Sequence, residues 1–267
     1  MTAEKGLLTV GFGTSAAADG GAEAVEKTLR EAFCDRRFYR AWTSGMLRRK
    51  LEQTQGIRVL SVDEALELME EDGVTDLLVQ PTHLIPGEEF QKILGTVTRY
   101  AERFETLAVG RPLISCDRDA AEVAAALEEI YGNIPKGELL MFMGHGSSLM
   151  QIPVYEMLAK QFRLDGYDDI VIGTVEAEPG IVPVLERIRR DNPSRVHLAP
   201  LLLSAGGHVL NDMCGDGPDS WKNRIAREGV EVICHQKGLG EYEQVRDIYV
   251  EHARRAQIAA VEDTEWI

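Results

Sequence analysis

Short apolar runs alternate with amphipathic stretches from one end of the chain to the other. The apolar runs have the length of buried strands, whereas the amphipathic stretches carry apolar residues at helical spacing. The pattern predicts strands at 6–12, 35–44, 75–81, 106–110, 138–144, 169–175, 195–203 and 230–235. It predicts helices at 20–33, 46–53, 62–71, 88–104, 117–131, 153–162, 179–190, 220–228 and 241–253. Asp117 is the expected N-cap of the fifth helix, and Pro179 is the expected first residue of the seventh.

Nearly continuous apolar strands separated by helices are typical of parallel sheets that are covered on both faces. The pattern restarts near residue 138, so we predict an α/β protein with two similar subdomains, residues 1–133 and 134–267. Each subdomain would be a parallel sheet flanked by helices. We expect the active-site cleft between them, at the carboxyl ends of the strands, because open α/β sheets bind ligands there.

Two pairs of matching segments support an internal duplication. V-G-F-G-T-S (10–15) and M-G-H-G-S-S (143–148) each follow an apolar strand directly. Segments 80–90 and 199–209 also superpose, with Pro81 on Pro200, Gly87 on Gly206 and Glu89 on His208. The two matches occur in the same order in both halves, as a duplication predicts.

Composition and charge exclude several classes of function. Of the 267 residues, 44% are hydrophobic and 27% are charged, so a large core is available without disulfides. The formal net charge of −15 disfavours a nucleic-acid partner and favours the approach of divalent cations. Four scattered cysteines, no signal peptide and no apolar run of membrane-helix length predict a cytoplasmic protein with reduced thiols and no membrane partner. No P-loop and no complete G-x-G-x-x-G follow the first strand, which disfavours ATP and nicotinamide cofactors.

Three strands of the C-terminal half are each followed by a residue that can bind a metal. His145 lies between two glycines, Glu176 follows the next strand with Glu178 as a competitor, and His208 follows S-A-G-G. Each of these residues alone is also typical of a structural role. Because the carboxyl ends of parallel strands meet at one edge of a sheet, we expect the three side chains to lie together. Two neutral imidazoles and a carboxylate form an open site for a divalent transition metal.

Several segments resemble the anaerobic cobalt chelatases of cobalamin biosynthesis, which belong to the class II chelatase family. They are V-G-F-G-T-S at 10–15, R-A-W-T-S-G-M at 40–46, H-L-I-P-G-E-E-F-Q-K-I at 83–93, F-M-G-H-G-S-S at 142–148, V-E-A-E-P at 175–179, S-A-G-G-H-V-L-N-D-M at 204–213, D-G-P-D-S-W-K at 216–222 and G-L-G-E at 238–241. The resemblance covers nearly the whole chain and implies two similar domains around a cleft for a tetrapyrrole. Leu149 and Met150 stand where some members of the family have further histidines.

The resemblance also implies roles for individual residues. It assigns metal binding to His145, Glu176 and His208, and so selects Glu176 over Glu178. It places Glu89 in the cleft, and we expect His145 and Glu89 to be the catalytic residues that accept the pyrrole protons. Residues expected to contact the substrate are Thr14, Ser15, Arg40, His83, Ser147 and Ser148.

The activity that the resemblance implies is ATP-independent insertion of Co²⁺ into sirohydrochlorin or precorrin-2, with Co²⁺ as the substrate metal. A ferro- or nickel-chelatase acting on the same tetrapyrrole is an alternative, because a site of two histidines and a carboxylate selects weakly among divalent metals. A non-catalytic carrier of tetrapyrrole or metal is an alternative from a different class. The sequence is compatible with a homo-oligomer.

Overall fold

The computed structural model describes residues 3–14, 20–146 and 153–258. The strands are β1 (Lys5–Gly11), β2 (Arg37–Trp42), β3 (Asp76–Pro81), β4 (Thr106–Val109), β5 (Leu139–Gly144), β6 (Ile170–Thr174), β7 (Arg195–Leu201), β8 (Glu231–Cys234) and β9 (Gln257–Ile258). The helices are α1 (Gly20–Ala32), α2 (Gly45–Gln55), α3 (Val62–Glu71), α4 (Glu88–Tyr100), α5 (Asp117–Tyr131), α6 (Val154–Leu164), α7 (Val182–Asp191), α8 (Trp221–Ala226) and α9 (Glu243–Arg254). A π-helix spans His208–Met213, and 3₁₀ turns span Ala101–Arg103 and Leu239–Glu241.

The described residues form two compact units. The first comprises residues 3–14, 22–115 and 246–258, and the second comprises residues 20–21, 116–146 and 153–245. The halves expected from the sequence, 1–133 and 134–267, have different bounds. Helix α5 packs on α6 and belongs to the second unit, whereas most of α9 belongs to the first. The division of the chain into duplicated halves stays a prediction.

The first unit is built on a mostly parallel sheet. Its strand order is β2-β1-β3-β4-β9, in which β9 pairs with β4 in the antiparallel direction and the other strands are parallel. Leu8, Val10 and Leu77 are fully buried in one core cluster with Leu66 of α3 and Ile93 of α4. Burial of each such side chain stabilises the fold by about 1.5–3 kcal/mol.

The second unit is built on a fully parallel sheet with the order β6-β5-β7-β8. All residues of the central strand β5 are buried, and their side chains alternate between two layers of helices. Met141 and Met143 pack in the core cluster that includes α7 and α8. On the other face, the Phe142 ring contacts Tyr131 of α5 and Phe162 of α6. Helices therefore cover both faces of this sheet, as the apolar strands predicted.

Each unit has four parallel strands, and their order in the sheet is the same in both: β2-β1-β3-β4 in the first unit and β6-β5-β7-β8 in the second. An internal duplication would produce this match. Val10 of the first unit pairs with Pro81, and Met143 of the second pairs with Pro200. These are the positions that were superposed when the matching segments of the two halves of this chain were compared. The matching segments thus occupy equivalent places in the two sheets.

The prediction that Pro179 opens a helix is wrong. Helix α7 begins at Val182, with Pro183 in its first turn. Pro179 instead follows a cis peptide bond, and its carbonyl oxygen accepts a hydrogen bond from the Thr174 backbone N–H at 2.9 Å. The chain folds back on the end of β6 before the helix starts, and spacing alone does not predict such a turn.

Smaller differences occur at other element ends. Asp117 is the first residue of α5 and Cys116 is its N-cap, so the acidic side chain lies in the first turn, where the helix dipole favours it. The two-residue strand β9 and the π-helix were not predicted from the sequence. Within the described ranges, no helix is long and apolar enough to cross a membrane.

Candidate metal centre

His145, Glu176 and His208 lie together beyond the carboxyl ends of β5, β6 and β7. One potential ligand atom from each residue lies within 4.8 Å of the others. The Glu176 carboxylate is shared, with Oε2 3.6 Å from His145 Nε2 and Oε1 3.8 Å from His208 Nε2. Two ligand atoms each about 2.1 Å from a tetrahedral metal ion are about 3.4 Å apart, so these separations are close to those of a metal site. Metal binding by these residues stays a prediction.

Two glycines set the position of His145. Gly144 ends β5 against the ring of Tyr155, where a Cβ atom would lie 2.6 Å from Cε1. Gly146 has a φ of 96°, a left-handed conformation that favours glycine, and its N–H donates to Tyr155 Oη at 3.2 Å. Tyr155 thus supports both neighbours of His145, although no motif in the sequence pointed to this residue.

Glu176 is tied to His145 through the backbone. The Glu176 N–H donates to the His145 carbonyl oxygen at 2.9 Å, so the pairing of β6 with β5 continues past the strand ends. The Thr174 hydroxyl donates to the carbonyl oxygen of Ala177 at 2.5 Å and closes the turn that contains Glu176. The carboxylate therefore projects next to the imidazole.

His208 is the first residue of the π-helix. Val209 and Met213 are fully buried in the core of the second unit and anchor this helix. The Cys214 N–H donates to the Val209 carbonyl oxygen at 3.0 Å, the wider hydrogen bond that defines a π-helix. Such helices occur frequently at functional sites.

Hydrogen bonds at Nδ1 fix the proton on both imidazoles. His208 Nδ1 lies 2.7 Å from Asp212 Oδ2, and His145 Nδ1 lies 3.3 Å from the Gly146 carbonyl oxygen. Both partners are acceptors, so each Nδ1 donates a hydrogen, and Nε2 is the ring atom of each histidine that faces Glu176. A carboxylate behind a histidine is the usual second partner of a metal-binding imidazole. Asp212 was missed from the sequence, although its position four residues after His208 is a signal.

The three side chains are open to solvent. The exposed fractions are 48% for His145, 55% for Glu176 and 35% for His208. Three protein ligands that are exposed to solvent leave coordination positions of a metal free. A metal held here is therefore able to exchange its ligands and leave the site. This is the property that metal transfer requires.

Glu89 and His83 lie in the first unit, after β3. Glu89 is in the first turn of α4 and forms an ion pair with Lys92. Partial burial is the largest single influence on the Glu89 carboxyl and raises its pKa. Hydrogen bonds from Lys92 and Thr43, with the charges of Lys92 and His83, together outweigh burial and lower the net pKa. Burial lowers the pKa of His83 to about 4, against the opposing charge of Glu89. The His83 ring nitrogens are buried and have no hydrogen-bond partner among the described residues.

The structure says less about the other residues that are expected to contact the substrate. Arg40 lies within β2, and its guanidinium forms an ion pair with the buried carboxylate of Glu26. This partner gives Arg40 a structural role in the first unit. Thr14 is half-buried at the end of the first described segment. Ser15, Ser147 and Ser148 lie outside the described residues.

Comparisons with solved structures support the fold. The structure titled "SirB from Bacillus subtilis with Fe3+" aligns with a TM-score of 0.62 and 15% identity, over 94% of this chain and 95% of that one. The structure of CbiX, described as the terminal enzyme for biosynthesis of siroheme in denitrifying bacteria, aligns with a TM-score of 0.54 and 18% identity, over 95% and 100% of the two chains. Each unit of this protein is therefore part of a known chelatase-like α/β fold.

Sequence comparisons identify the family. The family described as Cobalt chelatase (CbiK) matches residues 5–258. The sirohydrochlorin cobaltochelatase of Salmonella typhimurium is 35% identical over 262 residues, which cover 97% of this chain and 99% of that protein. The sirohydrochlorin cobaltochelatase CbiKC of Nitratidesulfovibrio vulgaris is 31% identical over 268 residues, which cover 97% and 93%. Together with the His–Glu–His cluster at the sheet edge, these matches show that the chain belongs to the cobalt chelatase (CbiK) family.

Proposed function

We propose that this protein inserts Co²⁺ into sirohydrochlorin without ATP, as a step of cobalamin biosynthesis. Membership of the cobalt chelatase family supports the reaction, and two relatives named sirohydrochlorin cobaltochelatase each match 97% of the chain. The observation that carries the proposal is the cluster of His145, Glu176 and His208, whose potential ligand atoms lie within 4.8 Å of one another. Co²⁺ is the substrate metal in this proposal.

Insertion replaces two pyrrole N–H protons with one Co²⁺ ion, and no bond to carbon changes. The protein must hold the metal with some of its waters removed, then release it as the macrocycle nitrogens bind. It must also accept the protons and stabilise a bent macrocycle more than a flat one. An open site of two imidazoles and one carboxylate meets the first of these needs.

In this proposal, a histidine nitrogen first binds the metal and then, after the metal has left, accepts a proton. His145 and His208 present their Nε2 lone pairs to the metal, and Glu176 neutralises part of its charge. When the metal leaves His145, the lone pair of the freed Nε2 becomes available as a base. We propose that it accepts the first pyrrole proton. Glu89 is ionised at neutral pH because its pKa is lowered, and it is our proposed acceptor for the second.

Other parts of the proposal rest on the sequence. Substrate contacts by Thr14, Ser15, Arg40, His83, Ser147 and Ser148 stay predictions. So do the cytoplasmic location, the homo-oligomer and independence from nicotinamide. The substrate is proposed as sirohydrochlorin rather than precorrin-2 because the relatives' names specify it.

The test is an anaerobic turnover assay without ATP, in which sirohydrochlorin and Co²⁺ are in excess over the purified protein. The visible spectrum follows formation of cobalt-sirohydrochlorin. We expect many equivalents of product per protein, and a loss of about 100-fold or more in His145→Ala. Near-normal turnover by this variant would overturn the assignment of His145.

Parallel assays separate the alternatives. Fe²⁺ and Ni²⁺ under the same conditions rank the metals, and faster insertion of either would favour a ferro- or nickel-chelatase. Stoichiometric binding, with insertion no faster than without protein, would favour a carrier.

A further inference from the structure

Helix α2 of the first unit is basic and exposed. It carries three consecutive cations, Arg48, Arg49 and Lys50, and none of its residues is buried. Helices that cover a sheet usually bury an apolar face, as α3 and α4 do in the same unit. Packing in the core therefore does not account for the sequence of α2.

The start of α2 lies at the carboxyl edge of the first sheet. The Thr43 N–H donates to the Gly11 carbonyl oxygen at 2.9 Å, and the Ser44 N–H donates to that of Phe12 at 3.1 Å. These bonds join the start of α2 to the segment that follows β1. In the alignment of the two halves, Phe12 takes the position of His145. Helix α2 therefore begins at the edge that, in the second sheet, carries the metal centre, and open α/β sheets bind ligands at this edge.

The three cations of α2 differ in their partners. Arg48 forms an ion pair with Glu64 of α3 at 3.1 Å, which ties the two helices together. Arg49 and Lys50 are exposed, and neither side chain has an ion-pair or hydrogen-bond partner in the described part of the chain. Arg49 Nη1 lies 3.4 Å from the place that a Cβ atom would take on Gly45. The guanidinium therefore turns back along the first turn of α2, towards the edge of the sheet.

We propose that Arg49 and Lys50 bind carboxylates on the rim of the tetrapyrrole substrate. This inference rests on the proposed function, which makes sirohydrochlorin, a macrocycle rich in carboxylates, the substrate. The formal net charge of −15 repels such a ligand, so its binding requires cations that no acidic side chain has already neutralised. A guanidinium is able to hold a carboxylate through two parallel hydrogen bonds, and an ammonium group adds a less directional contact.

The first arm of the test measures binding of metal-free sirohydrochlorin, without Co²⁺ and under anaerobic conditions, from the change in its visible spectrum. Arg49→Gln/Lys50→Gln should bind about tenfold more weakly than the unsubstituted protein, because charge-assisted hydrogen bonds are lost. The difference should shrink as added salt screens the charges. A circular dichroism spectrum checks that the variant is folded, which we expect because both side chains are exposed.

Lys160→Gln/Arg163→Gln is the matched control, since it also removes two exposed cations. They lie near the end of α6, which carries the chain back towards the amino ends of the parallel strands β5 and β6. The control should bind sirohydrochlorin as the unsubstituted protein does. Equal affinities of the two double variants would overturn this proposal alone. Absence of binding by the unsubstituted protein would contradict the proposed function, and this inference with it.

The second arm separates substrate binding from the metal centre. In turnover assays, Arg49→Gln/Lys50→Gln should raise the KM for sirohydrochlorin more than it lowers kcat, because the cations contact the rim and not the reacting nitrogens. Its affinity for Co²⁺, measured by calorimetry, should stay within about twofold of the unsubstituted protein. A lowered kcat with an unchanged KM, or a loss of Co²⁺ binding, would overturn the proposed role.

Discussion

Glu176 and Glu178 are chemically identical neighbours with different surroundings. The Glu176 carboxylate lies 3.6 Å and 3.8 Å from the Nε2 atoms of His145 and His208. Glu178 Oε2 accepts a hydrogen bond from the Gly180 N–H at 3.2 Å, within its own turn. Substituting each carboxylate in turn therefore distinguishes the loss of a proposed metal ligand from the loss of a negative charge nearby.

We predict that Glu176→Gln weakens Co²⁺ binding by about 100-fold, because the amide removes the negative ligand between the imidazoles. Glu178→Gln is the matched control and should bind Co²⁺ within about twofold of the unsubstituted protein. Isothermal titration under anaerobic conditions measures both. Equal affinities of the two variants would contradict the placement of the metal at Glu176.

We propose that Asp212 acts on a bound metal through His208. Its carboxylate accepts the Nδ1–H at 2.7 Å and so fixes both the tautomer and the direction of the ring. Nothing in the geometry requires Asp212 to touch the metal, so we describe it as a positioning residue.

We predict that Asp212→Ala weakens Co²⁺ binding by about 10–100-fold, the usual effect of losing the partner of a metal-binding histidine. Asp212→Asn keeps an acceptor for the Nδ1–H and should restore part of the affinity. Asp216→Ala, on an exposed neighbour paired with Lys222, is the control. An Asp212→Asn variant as weak as Asp212→Ala would argue against positioning through this hydrogen bond.

At the scale of elements, the turns after the strands hold the centre together. Gly146 combines a φ of 96° with a close approach, since a Cβ atom there would lie 2.7 Å from the Ala177 Cβ. Ala177 is in the turn that carries Glu176. The conformation of Gly146 therefore sets the spacing between the segments that present His145 and Glu176.

We predict that Gly146→Ala lowers the rate of Co²⁺ insertion by at least about tenfold, because the new methyl group pushes the two segments apart. Gly166→Ala is the matched control, with a φ of 86° and nothing within 4 Å of its Cβ position. Both variants should lose about 1–2 kcal/mol of stability from the strained backbone. Equal insertion rates in the two variants, measured by the visible spectrum, would contradict this role of the turn.

Helix α3 begins with a capping box that links its stability to pH. The Ser61 hydroxyl accepts from the Glu64 N–H at 3.2 Å, and the Glu64 carboxylate accepts from the Ser61 N–H at 2.7 Å. The Ser61 backbone hydrogen bond, aided by Arg58, lowers the pKa of Glu64 to about 2 from 4.5. Its stabilising contribution is therefore complete above pH 4.5 and is lost as the pH falls towards 2.

We predict that Glu64→Gln lowers the free energy of unfolding by about 1 kcal/mol at pH 7, a value discounted for solvent exposure. The difference from the unsubstituted protein should shrink as the pH falls from 4.5 towards 2. Urea titrations across this range measure it, with the exposed Glu52→Gln in α2 as the control. A difference that is constant with pH would contradict the role of the ionised carboxylate.

The sequence predicted most of the regular elements because strands and helices have different apolar periods. It also predicted that His145, Glu176 and His208 would meet, since each follows a strand of one parallel sheet. Asp212 was not predicted as the partner of His208 because no helix was predicted over His208–Met213, and only a helix brings side chains four residues apart together. The turn before α7 is closed by the hydrogen bond from the Thr174 N–H to the Pro179 carbonyl oxygen, and apolar spacing does not show such a contact. Two residues are too few for a pattern to predict β9.

At the scale of the whole molecule, the two units carry different side chains at equivalent positions. The sequence comparison places Phe12 at the position of His145, and Glu89 at the position of His208. Phe12 has 51% of its surface exposed, which is unusual for so large an apolar side chain. Of the described residues, the second unit carries the group that is able to bind a metal. The same strand order thus supports two different sets of side chains.

The formal net charge of −15 adds a long-range effect to this centre. A negative field attracts divalent cations and repels a substrate rich in carboxylates. We therefore predict that the protein takes up its metal before the macrocycle binds. The metal held by His145, Glu176 and His208 would then be the one that is transferred.

Transfer from protein loaded with one equivalent of Co²⁺ tests this account most directly. Free metal is removed, sirohydrochlorin is added anaerobically without ATP, and the visible spectrum is recorded. The account predicts one equivalent of cobalt-sirohydrochlorin at once, and none from a His208→Ala variant treated in the same way. Product that forms only after free Co²⁺ is added would contradict the claim that these three residues hold the metal for insertion.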